Sequence, residues 1–362
     1  MPTLRLLADD LTGALDTAAE FVKLTGPVPV FWQHTQARAL PASAALDLGT
    51  READRDIARA ITLAALPTLA GADIAFKKID SLMRGQTLAE LAACADSGGW
   101  ARCVLAPAFP FQGRITRQGQ QFALIDGAWR PVGPDLVAAL HALGVSAQAG
   151  LGETGVCVCD AESDADLAAL VAQLGGIGAP VLWCGTGGLA RALAGGGFDQ
   201  PPDLPPPILG LFGSDHAATA EQLAACGKHW VALPDGSGAS AAKLRAALER
   251  HGLVLATNAL PPGLGRGEAA ERIDRAFRAL LRHLPAPGTL VVAGGETLRG
   301  LCLGLGAERL EVQGRLMPGV PVSILRGGPW HGVTIVSKSG AFGHPALLRD
   351  LLRPPDLEGI SA

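Results

Sequence analysis

The sequence lacks the features of secreted, membrane-spanning and nucleic-acid-binding proteins. No uninterrupted apolar run approaches the roughly 20 residues that cross a bilayer, and the N-terminus MPTLRLLADD carries acids where a signal peptide would need its cleavage site. The formal net charge is -4, and no block of like charges offers an electrostatic footprint for nucleic acid or an anionic membrane. We therefore expect a cytoplasmic protein whose partners are small molecules, with no nucleic-acid or membrane partner.

Metal-binding and several common catalytic motifs are also missing. The seven cysteines include no C-x-x-C pair, and Cys157 and Cys159 would share one face of a strand rather than chelate a metal. We expect all seven to be reduced core thiols, and we assign no residue as a metal ligand. The chain has no Walker A, H-E-x-x-H or G-x-S-x-G motif, so zinc-peptidase and serine-hydrolase chemistry lose their usual support.

The length and the order of patterns indicate two domains. A chain of 362 residues is too long for one ordinary core, and strand and helix patterns alternate throughout it. We predict two three-layer α/β domains with a cleft between them. The glycine- and proline-rich segment 196–207 is the predicted linker, because prolines stiffen it and little of it could pack. Residues 1–195 then form the N-terminal domain and residues 208–362 the C-terminal domain.

One stretch, TLVVAGGETLRG, predicts a strand that leads into an anion-binding turn. Without Cβ atoms at Gly294 and Gly295, backbone N–H groups can approach a ligand closely. Glu296 and Thr297 stand at the start of a helix predicted over 298–305. Several hydrogen-bond donors would then converge on one point.

Two further turns carry the same signal. The turn KSGAFG follows the apolar run 333–336 and adds a cation and another hydroxyl. Its candidate ligand-binding residues are Lys338, Ser339, Gly340 and Gly343. A third candidate phosphate turn, GSDH, follows the strand predicted over 208–212 and contains Ser214. Together these turns could hold the phosphate chain of a nucleotide.

A rival nucleotide signal lies in the N-terminal half. Gly185–Ala190, GTGGLA, fits the dinucleotide pattern G-x-G-x-x-A between a predicted strand and a helix. The expected continuation is missing, because no strand ends in an acid about 20 residues later. An NAD-dependent oxidoreductase that uses this turn is the alternative left open.

Clusters of charged residues follow apolar strands in the N-terminal domain. The strand over 5–8 runs into the acidic turn DDLTG, and the strand over 74–76 ends in KKIDSLMRG. Such turns lie at the carboxyl ends of strands, where ligands bind in open α/β sheets. If the two strands are neighbours, carboxylates face cations, which suits gripping a polar acid and deprotonating a hydroxyl. The candidate residues are Asp9, Asp10, Thr12, Gly13, Lys78, Asp80, Ser81 and Arg84.

A rigid loop rich in proline and glycine follows the strand predicted over 103–106. It presents Arg114, whose planar guanidinium could meet a carboxylate with two hydrogen bonds.

Five motifs together resemble the four-carbon acid sugar kinase family, and the match runs nearly end to end. They are A-D-D-L-T-G-A at Ala8–Ala14, K-I-D-S-x-x-R-G at Lys78–Gly85, P-A-F-P-x-x-G-R at Pro107–Arg114, G-G-E-T at Gly294–Thr297 and K-S-G-x-F-G at Lys338–Gly343. The resemblance implies an N-terminal sugar-acid domain and a C-terminal ATP domain. It also implies transfer of the γ-phosphate to the terminal hydroxyl of threonate, erythronate or 3-oxo-tetronate.

The resemblance assigns ATP to the three glycine turns, with Mg²⁺ between its phosphates and an acid. The substrate carboxylate would be held by Lys78, Arg84 and Arg114, and either Asp10 or Asp80 would accept the hydroxyl proton. Asp80 lies among cations that should hold its pKa low, whereas Asp9 should raise the proton affinity of Asp10. Asp10 is therefore the favoured base. A non-enzymatic sugar-acid sensor stays open, as does a homodimer.

Overall fold

A computed structural model describes residues 1–32, 40–97, 99–175, 181–197 and 202–352 of the chain. The chain forms two compact units, Met1–Gln200 and Pro201–Ala362. Residues 198–201 of the predicted linker lie outside the described residues. Strands and helices alternate in both units, which confirms the predicted α/β class.

The first unit combines a parallel sheet with a small antiparallel one. Its strands are β1 (Leu4–Ala8), β2 (Val28–Trp32), β3 (Ala44–Asp47), β4 (Ile74–Lys78), β5 (Arg102–Ala106), β6 (Arg114–Arg117), β7 (Gln120–Ile125), β8 (Ala128–Asp135), β9 (Ala147–Ala149), β10 (Val156–Val158) and β11 (Val181–Gly185). Its helices are α1 (Leu11–Thr25), α2 (Arg55–Ala65), α3 (Thr87–Asp96), α4 (Leu136–Ala142), α5 (Asp164–Gln173) and α6 (Gly187–Leu193). The parallel strands lie in the order β2-β3-β1-β4-β11-β5-β10-β9, and β6-β7-β8 form the antiparallel sheet.

Helices cover both faces of the parallel sheet, as the nearly continuous apolar strands require. On one face, Leu105 of β5 belongs to a buried cluster with Leu91 of α3 and Leu140 of α4. On the other face, Phe21 of α1 packs edge-on against Phe76 of β4, with 5.8 Å between ring centroids. The first unit is therefore a three-layer arrangement.

The second unit repeats this architecture. Its strands are β12 (Ile208–Phe212), β13 (Trp230–Leu233), β14 (Leu253–Asn258), β15 (Thr289–Ala293), β16 (Arg309–Met317), β17 (Val320–Arg326) and β18 (Thr334–Lys338). Its helices are α7 (Ala217–Ala224), α8 (Gly238–His251), α9 (Arg266–Leu281), α10 (Gly295–Gly304) and α11 (Leu347–Leu352). The order is β13-β14-β12-β15-β18-β17-β16, in which β17 runs antiparallel to both of its neighbours and the other pairs are parallel.

The core of the second unit also lies on both sides of its sheet. Val291 of β15 packs in a buried cluster with Leu223 of α7 and Leu347 of α11. Leu290 and Val292 alternate to the opposite face and are equally buried. The sheet is therefore enclosed, and its carboxyl-end turns remain as places where a ligand can approach.

The predicted strands are confirmed in place, with differences at their ends. Strand β4 extends to Lys78, so both lysines that the sequence pattern placed in a loop lie in the strand. Helix α10 begins at Gly295 rather than at residue 298, which brings Glu296 and Thr297 into its first turn. The pattern missed the sheet β6-β7-β8 and the pair β16–β17.

All seven cysteines are buried and unpaired, as expected. Among the described helices, none is both long and apolar enough to cross a membrane.

Candidate active site

The acidic and basic clusters of the first unit lie side by side. Strands β1 and β4 are neighbours in parallel register, with Leu7 opposite Lys77, so the turns that follow them meet at the same edge of the sheet. Strand β3 flanks β1 on its other side. Three strand ends therefore supply the charged residues of this site.

Arg51, which the sequence patterns did not single out, joins the three carboxylates of the site. Its Nε and Nη2 donate to the carboxylate of Asp9, its Nη2 lies 3.2 Å from Asp10 Oδ1, and its Nη1 lies 3.0 Å from Asp80 Oδ2. The backbone N–H groups of Thr50 and Arg51 both donate to the Asp9 carbonyl. The local signal was present, because Gly49-Thr50-Arg51 follows β3 as the other clusters follow their strands.

Asp80 is held as an ionised anchor by two arginines. Arg84 Nη2 donates to Asp80 Oδ2 at 2.7 Å, and Arg84 Nε lies 3.1 Å from Oδ1. Burial would raise the pKa of Asp80, but the hydrogen bonds from Arg84 and the charges of Arg51, Arg84 and Lys78 hold it well below its usual range. Backbone N–H groups of Leu82 and Arg84 also donate to Asp80 Oδ1, so this carboxylate organises its own loop.

Asp9 and Asp10 are neighbours in sequence with different environments. Burial would raise the pKa of Asp9, but the hydrogen bonds and charge of Arg51 outweigh it and lower that pKa. The pKa of Asp10 is raised, first by burial and then by the charge of Asp9, against the opposing charge of Arg51. The side chain of Asp10 is 28% exposed, compared with 4% for Asp9 and 6% for Asp80. Among these three carboxylates, Asp10 is the one that a substrate can reach most easily.

The first turn of α1 fixes Asp10 against Lys78. Asp10 is the N-cap residue, and its Oδ1 accepts from the N–H of Gly13 at 2.8 Å. A Cβ at Gly13 would lie 2.6 Å from Asp10 Oδ1 and 2.9 Å from Lys78 Nζ, so this position has no room for a side chain. Lys78 is buried and forms no ion pair with the described residues. Its ammonium is therefore available to an anionic ligand.

Asp16, one turn beyond Gly13 on α1, is a further titratable group that the sequence patterns did not single out. Burial raises its pKa to about 6, against the opposing charge of Lys78. Its Oδ1 accepts from the hydroxyl of Thr17 at 3.0 Å. The site therefore holds carboxyl groups whose pKa values are displaced in opposite directions.

Lys77 belongs to the core rather than to the charged cluster. It is fully buried and pairs with Glu90 of α3 at 2.5 Å. Burial would lower the pKa of Lys77, but the charges of Glu90 and Asp9 and the hydrogen bond to Glu90 together outweigh it, and the pKa is raised. The adjacent Lys78 points to the opposite face of β4, as strand alternation requires, and toward the site.

The remaining predicted residues of the first unit lie around this cluster. Thr12 is buried in the first turn of α1, and Ser81 is half-buried in the loop of Asp80. Arg114 Nη1 donates to the carbonyls of Gln112 and Gly113 at 2.7 and 3.0 Å, which folds the arginine onto its own loop. Burial lowers the pKa of Arg114, with the charge of Asp80 opposing it.

In the second unit, the three candidate phosphate turns lie on adjacent parallel strands. β12, β15 and β18 are neighbours in that order, so the turns at Ser214, Gly294 and Ser339 share one edge of the sheet. The N–H of Gly294 donates to the Lys338 carbonyl at 3.0 Å, which ties the turn after β15 to the turn after β18. The structure thus brings together what the sequence places more than 120 residues apart.

Glycine is required where these turns touch. Gly294 has φ +99°, a backbone conformation that is strained for any residue with a side chain. It directly precedes α10, whose N-terminus favours anions. A Cβ at Gly340 would overlap the hydroxyl of Ser214, and a Cβ at Gly213 would overlap that of Thr297. The hydroxyls of Ser214 and Thr297 therefore lie against the backbone of the neighbouring turns.

Lys338 is a buried cation without an anionic partner. It is 2% exposed, and within the described part of the chain no carboxylate pairs with it. Its Nζ donates to the Ser339 carbonyl at 2.9 Å and contacts Thr219 Oγ1 at 3.4 Å. Burial lowers the pKa of Lys338 to about 8. An uncompensated buried ammonium beside three glycine turns is suited to receive phosphate.

Helix α7 contacts the turn after β18 through two side chains that the sequence patterns did not single out. Thr219 Oγ1 donates to the Gly340 carbonyl at 2.8 Å. Gln222 Nε2 donates to the carbonyls of Phe342 and His344 at 3.0 and 3.2 Å, and Gly343 packs close to this amide. Both side chains are fully buried, so the turn rests on hydrogen bonds that are shielded from water.

The rival turn Gly185–Ala190 is buried against the loop that follows β5. Thr186 Oγ1 donates to the Ala108 carbonyl at 2.7 Å and caps the N–H of Gly188. A Cβ at Gly188 would lie 2.6 Å from the Ala108 carbonyl oxygen, and a Cβ at Gly187 would lie 3.1 Å from the ring of Phe109. The glycines are needed for packing, and the N-terminus of α6 is covered.

Among the residues that the structure describes, no group of three or more His, Cys, Asp and Glu side chains could hold a metal ion by itself.

Comparison with known proteins finds one family match in each of the two units. Residues 4–139 match the family described as a sugar-binding N-terminal domain, and residues 209–348 match the family described as a nucleotide-binding C-terminal domain. The D-threonate kinase of Cupriavidus necator is 35% identical over 401 aligned residues, covering 95% of each chain. The D-threonate kinase of Bordetella bronchiseptica is 29% identical and covers 96% of each chain.

Solved structures share the fold. A Salmonella typhimurium protein described as a putative tRNA synthase superimposes with a TM-score of 0.72 at 22% identity and 98% coverage of both chains. A Haemophilus influenzae protein gives a TM-score of 0.66 at 20% identity, covering 97% of this chain and 99% of that one.

The protein is therefore an α/β protein of two units with relatives that are kinases. It belongs to the four-carbon acid sugar kinase family, and its relatives support a phosphotransferase that acts on a sugar acid.

Proposed function

We propose that this protein transfers the γ-phosphate of ATP to the terminal C4 hydroxyl of a four-carbon sugar acid, such as D-threonate, D-erythronate or 3-oxo-tetronate. Two sites support this proposal. A cluster of carboxylates and cations lies at the carboxyl ends of β1, β3 and β4, and a buried lysine that no described carboxylate pairs with lies among the glycine turns at the ends of β12, β15 and β18. Two relatives reported above are D-threonate kinases, so D-threonate is the first substrate to test.

The sugar acid is assigned to the first unit, residues 1–195, because that site offers both a carboxylate receptor and a base. Among the described residues, Lys78 forms no ion pair with a carboxylate, whereas Arg51 pairs with three carboxylates and Arg84 with Asp80. Lys78 therefore receives the substrate carboxylate. Arg84, whose side chain is 59% exposed, and Arg114 complete the receptor.

Asp10 is assigned as the general base. It is the most open of Asp9, Asp10 and Asp80, and its raised pKa brings its proton affinity toward that of a base useful near neutral pH. Its Oδ1 is fixed by the N–H of Gly13, so Oδ2 is left to accept the proton of the substrate hydroxyl. Asp80, which two arginines hold ionised, acts as the anchor that positions Arg51 and Arg84.

ATP is assigned to the second unit, residues 208–362. The backbone N–H groups at the start of α10 and the ammonium of Lys338 would hold its phosphates, with the hydroxyls of Ser214, Thr297 and Ser339 around them. Phosphoryl transfer depends mainly on positioning and charge neutralisation. The turn braced by Thr219 and Gln222 supplies the positioning, and the ammonium of Lys338 supplies the charge.

The carboxylates near the phosphate turns fit a Mg²⁺ ion that accompanies ATP. Mg²⁺ is commonly bound through one or two carboxylates together with substrate phosphates rather than by a cage of protein ligands. Glu296 in the first turn of α10 and Asp215 in the turn after β12 are both exposed and would hold it. When bound, the ion neutralises charge on the phosphate oxygens.

A coupled assay that records ADP release tests the proposal against a panel of four-carbon acids. We expect release that depends on both ATP and a tetronate, and loss of that release in the Asp10→Asn variant. The absence of ADP release with every tetronate in the panel would refute the assignment.

A further inference from the structure

Gln121 is a buried glutamine whose side chain joins two separate loops of the first unit. It lies on β7 of the small antiparallel sheet and is fully buried. Its Oε1 accepts a hydrogen bond from Thr116 Oγ1 at 2.7 Å. The other end of the amide faces two backbone carbonyl oxygens, which can only accept, so Nε2 is the donor. The orientation of the two N–H donors on Nε2 is therefore fixed.

Both donors are used on backbone carbonyls of the sugar-acid loops. Nε2 donates to the Ser81 carbonyl at 3.1 Å and to the Pro107 carbonyl at 3.0 Å. The first carbonyl lies in the loop of Asp80 and Arg84, after β4. The second begins the loop that carries Arg114, after β5. One amide thus connects two segments that are 26 residues apart in the chain.

The small sheet packs against the same loop at a second point. A Cβ at Gly133 of β8 would lie 3.0 Å from the Cβ of Met83, so β8 lies directly on the loop of Asp80. The sheet β6-β7-β8 therefore contacts the loop through both a hydrogen bond and close packing. No residue of β7 was marked by the sequence patterns.

We propose that Gln121 is a positioning residue for the sugar acid: it sets the separation between Ser81 and Arg84 on one loop and Arg114 on the other. This inference rests on the proposed function and deepens it. Without the amide, the buried carbonyl of Pro107 and the half-buried carbonyl of Ser81 lose this donor, and the loops relax to recover hydrogen bonds elsewhere. The receptor for the acid then loses its geometry, while the ATP turns, which belong to the other unit, keep theirs.

The test compares Gln121→Met with Gln120→Met. Methionine matches glutamine in size but cannot donate or accept these bonds. Gln120 is the matched control, because its Nε2 bonds only to the carbonyls of Gln121, Val132 and Gly133 within the small sheet. We expect Gln121→Met to raise KM for the sugar acid about tenfold, as loss of two hydrogen bonds predicts, with KM for ATP within twofold of the wild type. Gln120→Met should leave both values within twofold.

A second variant keeps the test decisive if Gln121→Met does not fold. Thr116→Val removes the hydroxyl that donates to Oε1 of the amide and should raise KM for the acid by a smaller factor in the same direction. Equal increases in both KM values, or an acid KM unchanged in both variants, would overturn the positioning role. If the wild type phosphorylates no tetronate, the proposed function fails separately, and calorimetric binding of D-threonate to the wild type and Gln121→Met then decides the positioning role.

Discussion

Replacing Lys338 by methionine should lower turnover and raise the stability of the protein at the same time. Burial lowers the pKa of Lys338 to about 8 from 10.5, and no carboxylate among the described residues compensates its charge. The cost of keeping this ammonium charged in the folded state is then about 3 kcal/mol, at 1.36 kcal/mol for each pH unit. Loss of two hydrogen bonds, each about 0.5–1.5 kcal/mol, offsets part of it. We expect a net gain on the order of 1 kcal/mol near pH 7.

The pH dependence of stability has a definite sign. Between pH 8 and 10.5 the unfolded state holds a proton on this lysine that the folded state has released, so this group makes the free energy of unfolding rise with pH in that window. Below pH 8 the full cost is present. The gain from Lys338→Met should therefore be largest below pH 8 and vanish as the pH approaches 10.5.

The activity should change in the opposite direction. An electrostatic donor in a closed site stabilises the transition state by on the order of 2.7–4 kcal/mol, so removing it should lower turnover by about 10² to 10³. Lys338→Arg should restore little of this turnover, because a planar guanidinium cannot replace a compact ammonium. In the wild type, kcat/KM for ATP should also fall as the pH rises through about 8, since the ammonium of the ligand-free protein loses its proton there.

Urea unfolding at pH 7 and at pH 10, together with ADP release at saturating substrates, measures both effects. Lys243→Met is the matched control, because Lys243 is an exposed lysine of α8 in the same unit. It should change neither quantity. A turnover loss smaller than about threefold in Lys338→Met, or a stability loss at pH 7, would refute the assignment of Lys338 as an uncompensated phosphate receptor.

Three further outcomes are expected. A non-hydrolysable ATP analogue should slow hydrogen exchange at 294–297 and 340–343; protection confined to the glycine turn after β11 would move the nucleotide to the rival turn. Asp10→Asn should lose turnover at saturating acid, while Asp80→Asn should chiefly weaken acid binding because its arginines lose their anchor; a reversed pattern in steady-state kinetics would exchange the two roles. Gly13→Ala should lower turnover and leave ATP binding unchanged, since its Cβ would lie 2.6 Å from Asp10 Oδ1; normal kinetics would show that the first turn of α1 has room to adjust.

The positions of the charged and glycine-rich turns were predicted correctly where a single strand and the turn after it showed a clear sequence pattern. The acidic turn after β1, the cluster after β4 and the glycine turns after β15 and β18 all lie at carboxyl strand ends. The reason is that a buried parallel strand has a recognisable apolar run, and the residues after it must leave the sheet at its ligand-binding edge.

Pairing across the sheet could not be predicted in the same way. The two adjacent lysines of β4 look alike in the sequence, yet Lys77 pairs with Glu90 in the core whereas Lys78 lies at the site. Each outcome depends on which face of β4 meets which helix or loop, and a short apolar run of three residues does not fix that.

The sequence by itself determined the α/β class, the reduced cysteines, the place of the charged and glycine-rich turns, and the family that they resemble. The tertiary structure alone decided that Arg51 joins Asp9, Asp10 and Asp80, that Thr219 and Gln222 brace the turn of Lys338, and that Gln121 connects two sugar-acid loops. These contacts arise from strand order and helix packing, which bring distant segments together. A local pattern reports only the period and the chemistry of its own segment, so it predicts the turns but not their partners.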